Sequence, residues 1–240
     1  MIQLFTACVS SVDEAGENTS NLLFSGQILP ERNAGLNGAP SLKLDPGAIC
    51  VAAVFDGRGA AGRRAAYLAA SAFRAAGTDL HSTEDLEALY TGIHNEIAAA
   101  AAEGASPMSA SAVSACVAGD RLYLANLGSC RAYLLRDKSL YRLSRASADA
   151  ASQSVPPLPG EGPTLGTDVI PPFTVKGTLQ ASDQLLLCTG WLCSAVAERE
   201  ILHILLDSDM PGDALQRLAA RAGRCSGDIA AVLMKAEKAG

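Results

Sequence analysis

Short apolar runs alternate with two longer helical blocks along the chain. Strand-like runs occur at 3–9 and 22–29, and a polar loop rich in glycine and proline follows at 30–47. The next run, 49–55, is apolar throughout, which predicts a buried strand. The N-terminal part of the chain therefore begins as β-structure.

Two helices are predicted in the centre of the chain. An alanine-rich block spans 61–76 and carries Leu68, Ala72 and Phe73 at helical spacing. A second block opens at Thr83 and keeps apolar residues at i, i+3 and i+4 before it stops near Gly104.

After the second helical block, the hydrophobic pattern changes to one typical of short antiparallel strands joined by turns. These strands are predicted at 110–118, 121–127, 131–136, 173–179, 184–189 and 229–235. A long loop is expected at 144–163, and helices are expected at 198–206 and 213–222. Helices set among many antiparallel strands predict an α+β layered fold with helices outside a β-sandwich, formed by a single domain over 1–240.

Composition and charge argue against several classes of protein, among them nucleic-acid-binding, secreted and membrane-spanning proteins. The chain is 49% hydrophobic with a net charge of −6, so it has a full core and no basic footprint for nucleic acid. Its N-terminus lacks the features of a signal peptide, and no apolar run reaches the roughly 18 residues of a membrane span. These features predict a cytoplasmic protein without a membrane or nucleic-acid partner.

The seven cysteines form no C-x-x-C pair, and their odd number argues against a closed disulfide framework. Most lie in apolar runs, as expected of small buried side chains in a reducing cytosol. A zinc site would have to combine Cys188 and Cys193 with His81, His94 and His203, but their spacing matches no usual zinc pattern.

The segment 54–59, Val-Phe-Asp-Gly-Arg-Gly, carries the first candidate chemistry. It places Asp56 at the end of a buried strand, beside a glycine-rich turn. A carboxylate in that position suits a hard cation such as Mg²⁺ or Mn²⁺. Asp-Gly is also a common turn dipeptide, so a purely structural role remains the alternative.

Several motifs occur in the order found in one enzyme family. Residues 54–59 resemble its Val-Phe-Asp-Gly-His-Gly, and 122–133 resemble its strand, Gly-Asp-Ser-Arg turn and strand. Residues 165–167 and 183–192 are similar to the segment that ends in Leu-Leu-Cys-Ser-Asp-Gly-Leu, and 226–229 lie where Asp-Asn-Ile-Thr occurs. The chain thus resembles a compact bacterial member of the metal-dependent protein phosphatases (the PPM, or type 2C, family).

The resemblance implies a four-layer αββα sandwich of two antiparallel sheets flanked by helices. It also implies a two-metal site, in which an aspartate and a water bridge the ions and the water attacks a phosphoserine or phosphothreonine. Such a site needs several carboxylates, because hard divalent cations take charged oxygen ligands.

This sequence departs from the family at most of those ligands. Ser20 lies where the family has an acidic residue, and Ser129 replaces an aspartate associated with an additional metal. Gly190 replaces the metal-binding aspartate of the Ser-Asp-Gly segment, and Trp191 replaces the glycine after it. An ungapped match puts Gly227 at the last aspartate.

A one-residue deletion would instead keep Asp228 at that last position. The remnant metal site predicted here consists of Asp56, Gly57 and Asp228, and it should hold Mg²⁺ or Mn²⁺ weakly and not tightly. Arg58 replaces the family's histidine and either pairs with Asp56 or, with Arg131, binds phosphate without a metal. Trp191 either fills a gap in packing or occupies the vacated metal pocket.

Three functions follow from these residues. The leading hypothesis is a catalytically impaired phosphatase-like domain, a pseudophosphatase that binds a phosphoprotein or regulatory protein in signalling. The alternative is an active Mg²⁺- or Mn²⁺-dependent serine/threonine phosphatase that uses Asp56, Asp228 and ligands from the Asp13, Glu14 and Glu17 segment. A third is a scaffold without phosphate recognition.

Overall fold

The computed structural model describes residues 1–12, 18–145, 163–167, 171–223 and 227–240. Within these ranges it contains two six-stranded sheets and helices on their outer faces. The strands are β1 Ile2–Ser11, β2 Ser20–Phe24, β3 Gln27–Ile28, β4 Ser41–Lys43, β5 Cys50–Arg58, β6 Ser109–Ala118, β7 Arg121–Leu127, β8 Arg131–Arg136, β9 Ser139–Arg142, β10 Phe173–Thr178, β11 Gln184–Cys188 and β12 Ile229–Lys238. The helices are α1 Gly62–Ala76, α2 Thr83–Gly104, α3 Gly190–Ala195, α4 Glu198–Leu206 and α5 Pro211–Ala222.

The sheets stack as the two inner layers of a four-layer αββα sandwich. One sheet has the order β4-β1-β12-β11-β8-β9 and the other β10-β7-β6-β5-β2-β3, and their paired strands are antiparallel. Side chains alternate along each strand, so one face of each sheet meets the other sheet and the opposite face meets helices. The predicted fold class is confirmed.

Three apolar clusters fill the spaces between the layers. The first lies between the sheets and includes Val54 and Val232. The second joins the β5 sheet to α1 and α2 through residues such as Phe55. The third joins the other sheet to α3, α4 and α5. The fully apolar run that predicted β5 is explained by this arrangement, since both of its faces are covered.

Strand β5 extends further than the sequence predicted. The expected turn at Asp56 and Gly57 is wrong, because Asp56, Gly57 and Arg58 continue the pairing with β6. The chain turns instead at Gly59, which has a φ of 82°. Asp56 and Arg58 are therefore held by sheet hydrogen bonds and not by a loop.

Other differences come from turns and from short elements. The predicted strand 22–29 is a hairpin, because Ser25 and Gly26 both have positive φ and reverse the chain between β2 and β3. The short strands β4, inside the predicted loop 30–47, and β9 were missed, as was the six-residue helix α3. Of the predicted loop 144–163, residues 146–162 lie outside the described part of the chain.

The second predicted helix matches α2, including its start. Ser82 is its N-cap, and the Ser82 hydroxyl accepts a hydrogen bond of 3.1 Å from the Asp85 backbone N–H. Within the described residues, no helix is both long enough and apolar enough to span a membrane.

Candidate functional site

The candidate site lies at one end of the space between the two sheets. Ala52 and Val54 of β5 point into that space, so the alternation of side chains places Asp56 on the same face. Strand register sets Ser20 of β2 and Ser111 of β6 on either side of Asp56. All three side chains are at most 2% exposed.

Arg58 lies on the same face of β5, two residues after Asp56. Its Nη2 donates to Asp56 Oδ2 at 3.2 Å and to Ser129 Oγ at 2.6 Å, and its Nε donates to Ser111 Oγ at 3.2 Å. The Arg58 side chain is 17% exposed and Asp56 is 2% exposed. A permanent positive charge therefore contacts the carboxylate that would hold a metal.

Asp228 approaches the same region from the other sheet. It lies just before β12 and is buried, and its Oδ2 accepts hydrogen bonds from the Thr19 backbone N–H and, at 2.7 Å, from Thr19 Oγ1. Its backbone carbonyl accepts a hydrogen bond of 3.1 Å from Thr189 Oγ1. The structure also brings Asp228 near enough to Asp56 for the two charges to interact, so the two carboxylates of the predicted remnant site share one region.

Burial dominates the electrostatics of Asp56. Loss of hydration raises the pKa of Asp56 from its ordinary 3.8 to about 6; the neighbouring Arg58 charge acts against this rise and the Asp228 charge adds to it. Asp56 is therefore a carboxylate whose ionised form is poorly stabilised by its surroundings.

This pKa predicts a pH dependence of stability that Asp56→Asn should remove. Between pH 3.8 and about 6 the folded protein keeps a proton on Asp56 that the unfolded chain has lost, so the free energy of unfolding falls as pH rises through this window. Relative to Asp56→Asn, the wild type should lose on the order of 2–3 kcal/mol between pH 4 and pH 7.5. Urea unfolding of both proteins at the two pH values measures this difference. If the free energy of unfolding of the wild type instead rose with pH relative to that of the variant, the Arg58 ion pair would outweigh burial in setting the pKa of Asp56.

Trp191 fills the space beside Gly227. A Cβ at Gly227 would overlap the indole atoms Cδ2, Cε2 and Nε1 of Trp191. An aspartate side chain at 227 is therefore incompatible with the observed position of the tryptophan. The indole therefore lies beside the position that the ungapped family match assigns to the last aspartate, and its role in a former metal pocket stays a prediction.

The contact between Trp191 and Gly227 can be tested by a double-mutant cycle. Gly227→Ala alone should destabilise the fold by about 1–3 kcal/mol, because the added methyl group must displace the indole. In a Trp191→Ala background, which removes the indole, the same change should cost less than half as much. Urea unfolding of the four proteins gives the coupling energy. Equal costs in both backgrounds would mean that the indole does not occupy this space.

Gly190 and Ser20, two other positions where the family has an acidic residue, are closely contacted by neighbouring groups. A Cβ at Gly190 would lie 2.9 Å from the Ser129 backbone oxygen and 3.0 Å from the Ser129 side chain. Ser20 Oγ donates to Asn18 Oδ1 at 2.8 Å, inside a buried hydrogen-bond network. An aspartate at Gly190 would therefore require the Ser129 turn to move.

Arg131, the second phosphate-binding candidate, is buried and directed at its own turn. Its Nη1 donates to the carbonyl oxygens of Ser129 at 2.7 Å and Cys130 at 3.2 Å. This nitrogen holds the β7–β8 turn in shape, and phosphate binding by Arg131 stays a prediction.

A dinuclear metal centre does not fit the residues described. No group of three or more His, Cys, Asp or Glu side chains able to hold a metal occurs in the described ranges. Cys188, Cys193 and the histidines at 81, 94 and 203 are all among these described residues, and they form no such group. The alternative ligands Asp13, Glu14 and Glu17 lie outside the described residues. What the structure shows in place of several carboxylates is Asp56 bound by a guanidinium group.

Comparison with known proteins shows which solved structures share the fold and which family part of the chain resembles. The model of protein phosphatase 2C matches residues 39–148, which include β5, the two central helices and the β6–β9 strands. Over this segment, which is a little under half of its length, the chain is similar to protein phosphatase 2C. No curated protein matches the chain.

Several solved structures share this fold. The catalytic domain of the serine/threonine phosphatase PstP, in complex with two manganese ions, has a TM-score of 0.78 and 21% identity, over 99% of this chain and 100% of that one. The Mycobacterium tuberculosis serine/threonine phosphatase PstP/Ppp has a TM-score of 0.75 and 21% identity, with the same coverage of both chains. PppA, a key regulatory component of the T6SS in Pseudomonas aeruginosa, has a TM-score of 0.69 and 20% identity, over 78% of this chain and 86% of that one. At these identities the likeness shows a common fold.

Three site residues were missed by the sequence argument. Thr19 binds the Asp228 carboxylate, Thr189 binds its backbone carbonyl, and Ser111 connects Arg58 to Ser129. Ser111 lies in a strand of small residues with no distinguishing pattern. Thr19 directly precedes Ser20, which the family comparison had singled out, and this position was the one available signal.

Proposed function

We propose that this chain is a catalytically impaired protein phosphatase 2C domain that acts by binding a phosphoprotein or a regulatory protein in signalling. The observation that carries the proposal is the Arg58 side chain, which bonds to Asp56, Ser111 and Ser129 at once. A guanidinium group cannot lose its charge in a protein, so it opposes the binding of a cation at Asp56.

Loss of ligands and filling of space support the same conclusion. Two metal ions need several charged oxygen ligands, and neutral hydroxyls such as those of Ser20 and Ser129 do not replace them. The volumes beside Gly190 and Gly227 are taken by Ser129 and Trp191. Restoring a ligand would therefore require changes to its neighbours as well.

The binding role rests on the charge and position of Arg58. Its side chain is 17% exposed and lies next to the hydroxyl groups of Ser111 and Ser129. A guanidinium group with adjacent hydroxyls suits a phosphoserine or phosphothreonine oxygen. PppA, which shares the fold, is a key regulatory component of the T6SS in Pseudomonas aeruginosa, and this supports a regulatory role for the chain.

A second candidate, an active Mg²⁺- or Mn²⁺-dependent serine/threonine phosphatase, is favoured by one observation. Asp228 lies close enough to Asp56 to raise its pKa, so two buried carboxylates share the site. A cation between them would relieve their repulsion if Arg58 swung away. PstP, with the same fold, contains two manganese ions.

Titration with phosphothreonine peptides tests these functions together. The proposal predicts saturable binding of the phosphorylated peptide and not of its unphosphorylated form, weakened at least about tenfold by Arg58→Ala, with no phosphate release in Mn²⁺. Arg121→Ala, on an exposed strand end, is the matched control and should bind as the wild type does. Mn²⁺-dependent phosphate release would support the second candidate. Binding to neither peptide would leave a scaffold and overturn the proposal.

A further inference from the structure

Two cysteines outside the metal-site positions come together next to the candidate site. Cys188 is the last residue of β11, and Cys193 lies in α3, which folds back over the end of that strand. Their Sγ atoms are 3.4 Å apart. Cys188 is fully buried, whereas Cys193 is partly exposed. Cys193 is therefore the more accessible residue of the pair.

The surroundings of the pair assign different roles to the two thiols. Hydrogen bonding with Cys188 lowers the pKa of Cys193 most, and burial acts against this effect. Tyr133 and the Arg131 charge lower the pKa further, so it lies below its ordinary value. The hydrogen bond to Cys193 and burial raise the pKa of Cys188 well above it. Cys193 is thus the more readily ionised thiol, and thiolates are the nucleophiles in cysteine chemistry.

The other described cysteines have the opposite character. Burial raises the pKa of Cys8 and Cys50 to about 12 and that of Cys116 to about 11. Cys130 is also buried, and its pKa is raised well above the ordinary value. Unreactive buried thiols of this kind serve as a built-in comparison for Cys193.

We propose that Cys188 and Cys193 form a modification site that hydrogen peroxide oxidises to an intramolecular disulfide. The Cys193 thiolate attacks one peroxide oxygen, the O–O bond breaks, and the products are a Cys193 sulfenic acid and hydroxide. Cys188 Sγ then attacks the sulfenic sulfur, the S–O bond breaks, and the Cys188 proton leaves with the hydroxyl group as water. Overall, two thiols lose two electrons and two protons, and one peroxide becomes two waters.

The geometry needs little rearrangement for this bond. A disulfide has a sulfur–sulfur distance of about 2.05 Å, so the two Sγ atoms must approach by roughly 1.4 Å, a distance that side-chain rotation supplies. The bond would close a short loop around Thr189, Gly190 and Trp191. Since Thr189 binds the backbone of Asp228, oxidation would fix the segment that borders the candidate site. In reducing compartments, disulfides of this kind are usually transient and sensory.

Peroxide titration followed by mass spectrometry tests the proposal. One equivalent of hydrogen peroxide should lower the intact mass by about 2 Da. Proteolysis should then give a peptide that contains a disulfide between Cys188 and Cys193, and dithiothreitol should reduce this disulfide. The fluorescence of Trp191, the single tryptophan of the chain, should change in parallel. The result would overturn the proposal if the mass did not fall, or if the disulfide joined other cysteines.

Two variants separate the steps and a third serves as control. Cys193→Ser should form no disulfide and leave Trp191 fluorescence unchanged by peroxide. Cys188→Ser should stop at a sulfenic acid on Cys193 that dimedone traps. Cys116→Ser, whose hydroxyl can keep the hydrogen bond to the Leu80 carbonyl, should form the disulfide as the wild type does. Loss of the disulfide in Cys116→Ser, or its persistence in Cys193→Ser, would contradict the assignment.

Discussion

No Mn²⁺-dependent hydrolysis of para-nitrophenyl phosphate is expected above that of an Asp56→Ala control. Hydrolysis of phosphate monoesters is among the slowest uncatalysed reactions in water, with enzymatic enhancements of up to about 10²¹. In a two-metal site the ions generate the hydroxide and stabilise the phosphoryl oxygens. Arg58 supplies a positive charge but cannot generate a hydroxide. Loss of the metals should therefore remove the nucleophile and not merely slow its attack.

The assay compares wild type, Asp56→Ala and a chelator-treated sample, with an active phosphatase of the same family as positive control. Wild-type rates with Mn²⁺ should agree within about twofold with both controls, a difference of less than about 0.5 kcal/mol in activation free energy. A rate at least tenfold higher that rises with Mn²⁺ and disappears with chelator would establish the active-phosphatase alternative.

The largest stability effect is expected from Gly57→Ala. A Cβ at Gly57 would overlap the Gly62 backbone carbonyl and lie 2.6 Å from the Thr19 carbonyl oxygen, and both are backbone atoms that side-chain rotation cannot move. The Gly57 N–H also donates to Thr19 at 3.2 Å. The substitution should lower the free energy of unfolding by more than about 4 kcal/mol or prevent folding.

Gly92→Ala is the matched control for this substitution. Gly92 lies within α2, and a Cβ there would meet no atom within 4 Å. Because alanine has the higher helix propensity, this change should stabilise the protein by up to about 1 kcal/mol. Urea denaturation compares both variants with the wild type. A cost below about 1 kcal/mol for Gly57→Ala would show that the close approach of β5 to the start of α1 is not rigid.

The sequence predicted the elements because their signals are local. The apolar run before Asp56 and the periodicity of α2 reflect which faces are buried, and the αββα layering followed from the resemblance. Turns were harder, since the sheet pairing of Asp56 and Gly57 with β6 overrides the local turn preference of Asp-Gly. Short elements such as β4 and β9 form because a neighbouring strand pairs with them, which no local pattern indicates.

The candidate site was only partly predictable because its contacts join distant parts of the chain. Asp56 and the replaced positions Ser20 and Gly190 were found by motif. The hydrogen bond between Thr19 and Asp228 joins residues 209 positions apart. The fit of Trp191 against Gly227 depends on how helix α3 packs beside the segment before β12. Arg58 was predicted either to pair with Asp56 or to bind phosphate. Strand register decides that it reaches Asp56, Ser111 and Ser129 together.

Calorimetric titration of the metal-free protein with Mn²⁺ tests the central claim most directly. An Asp56 carboxylate bound by Arg58, with the neighbouring ligand positions filled, predicts an affinity no better than about 1 mM and no pair of sites. The Asp56→Ala variant should then give nearly the same titration as the wild type. Two tight Mn²⁺ sites in the wild type that disappear in Asp56→Ala would contradict the account.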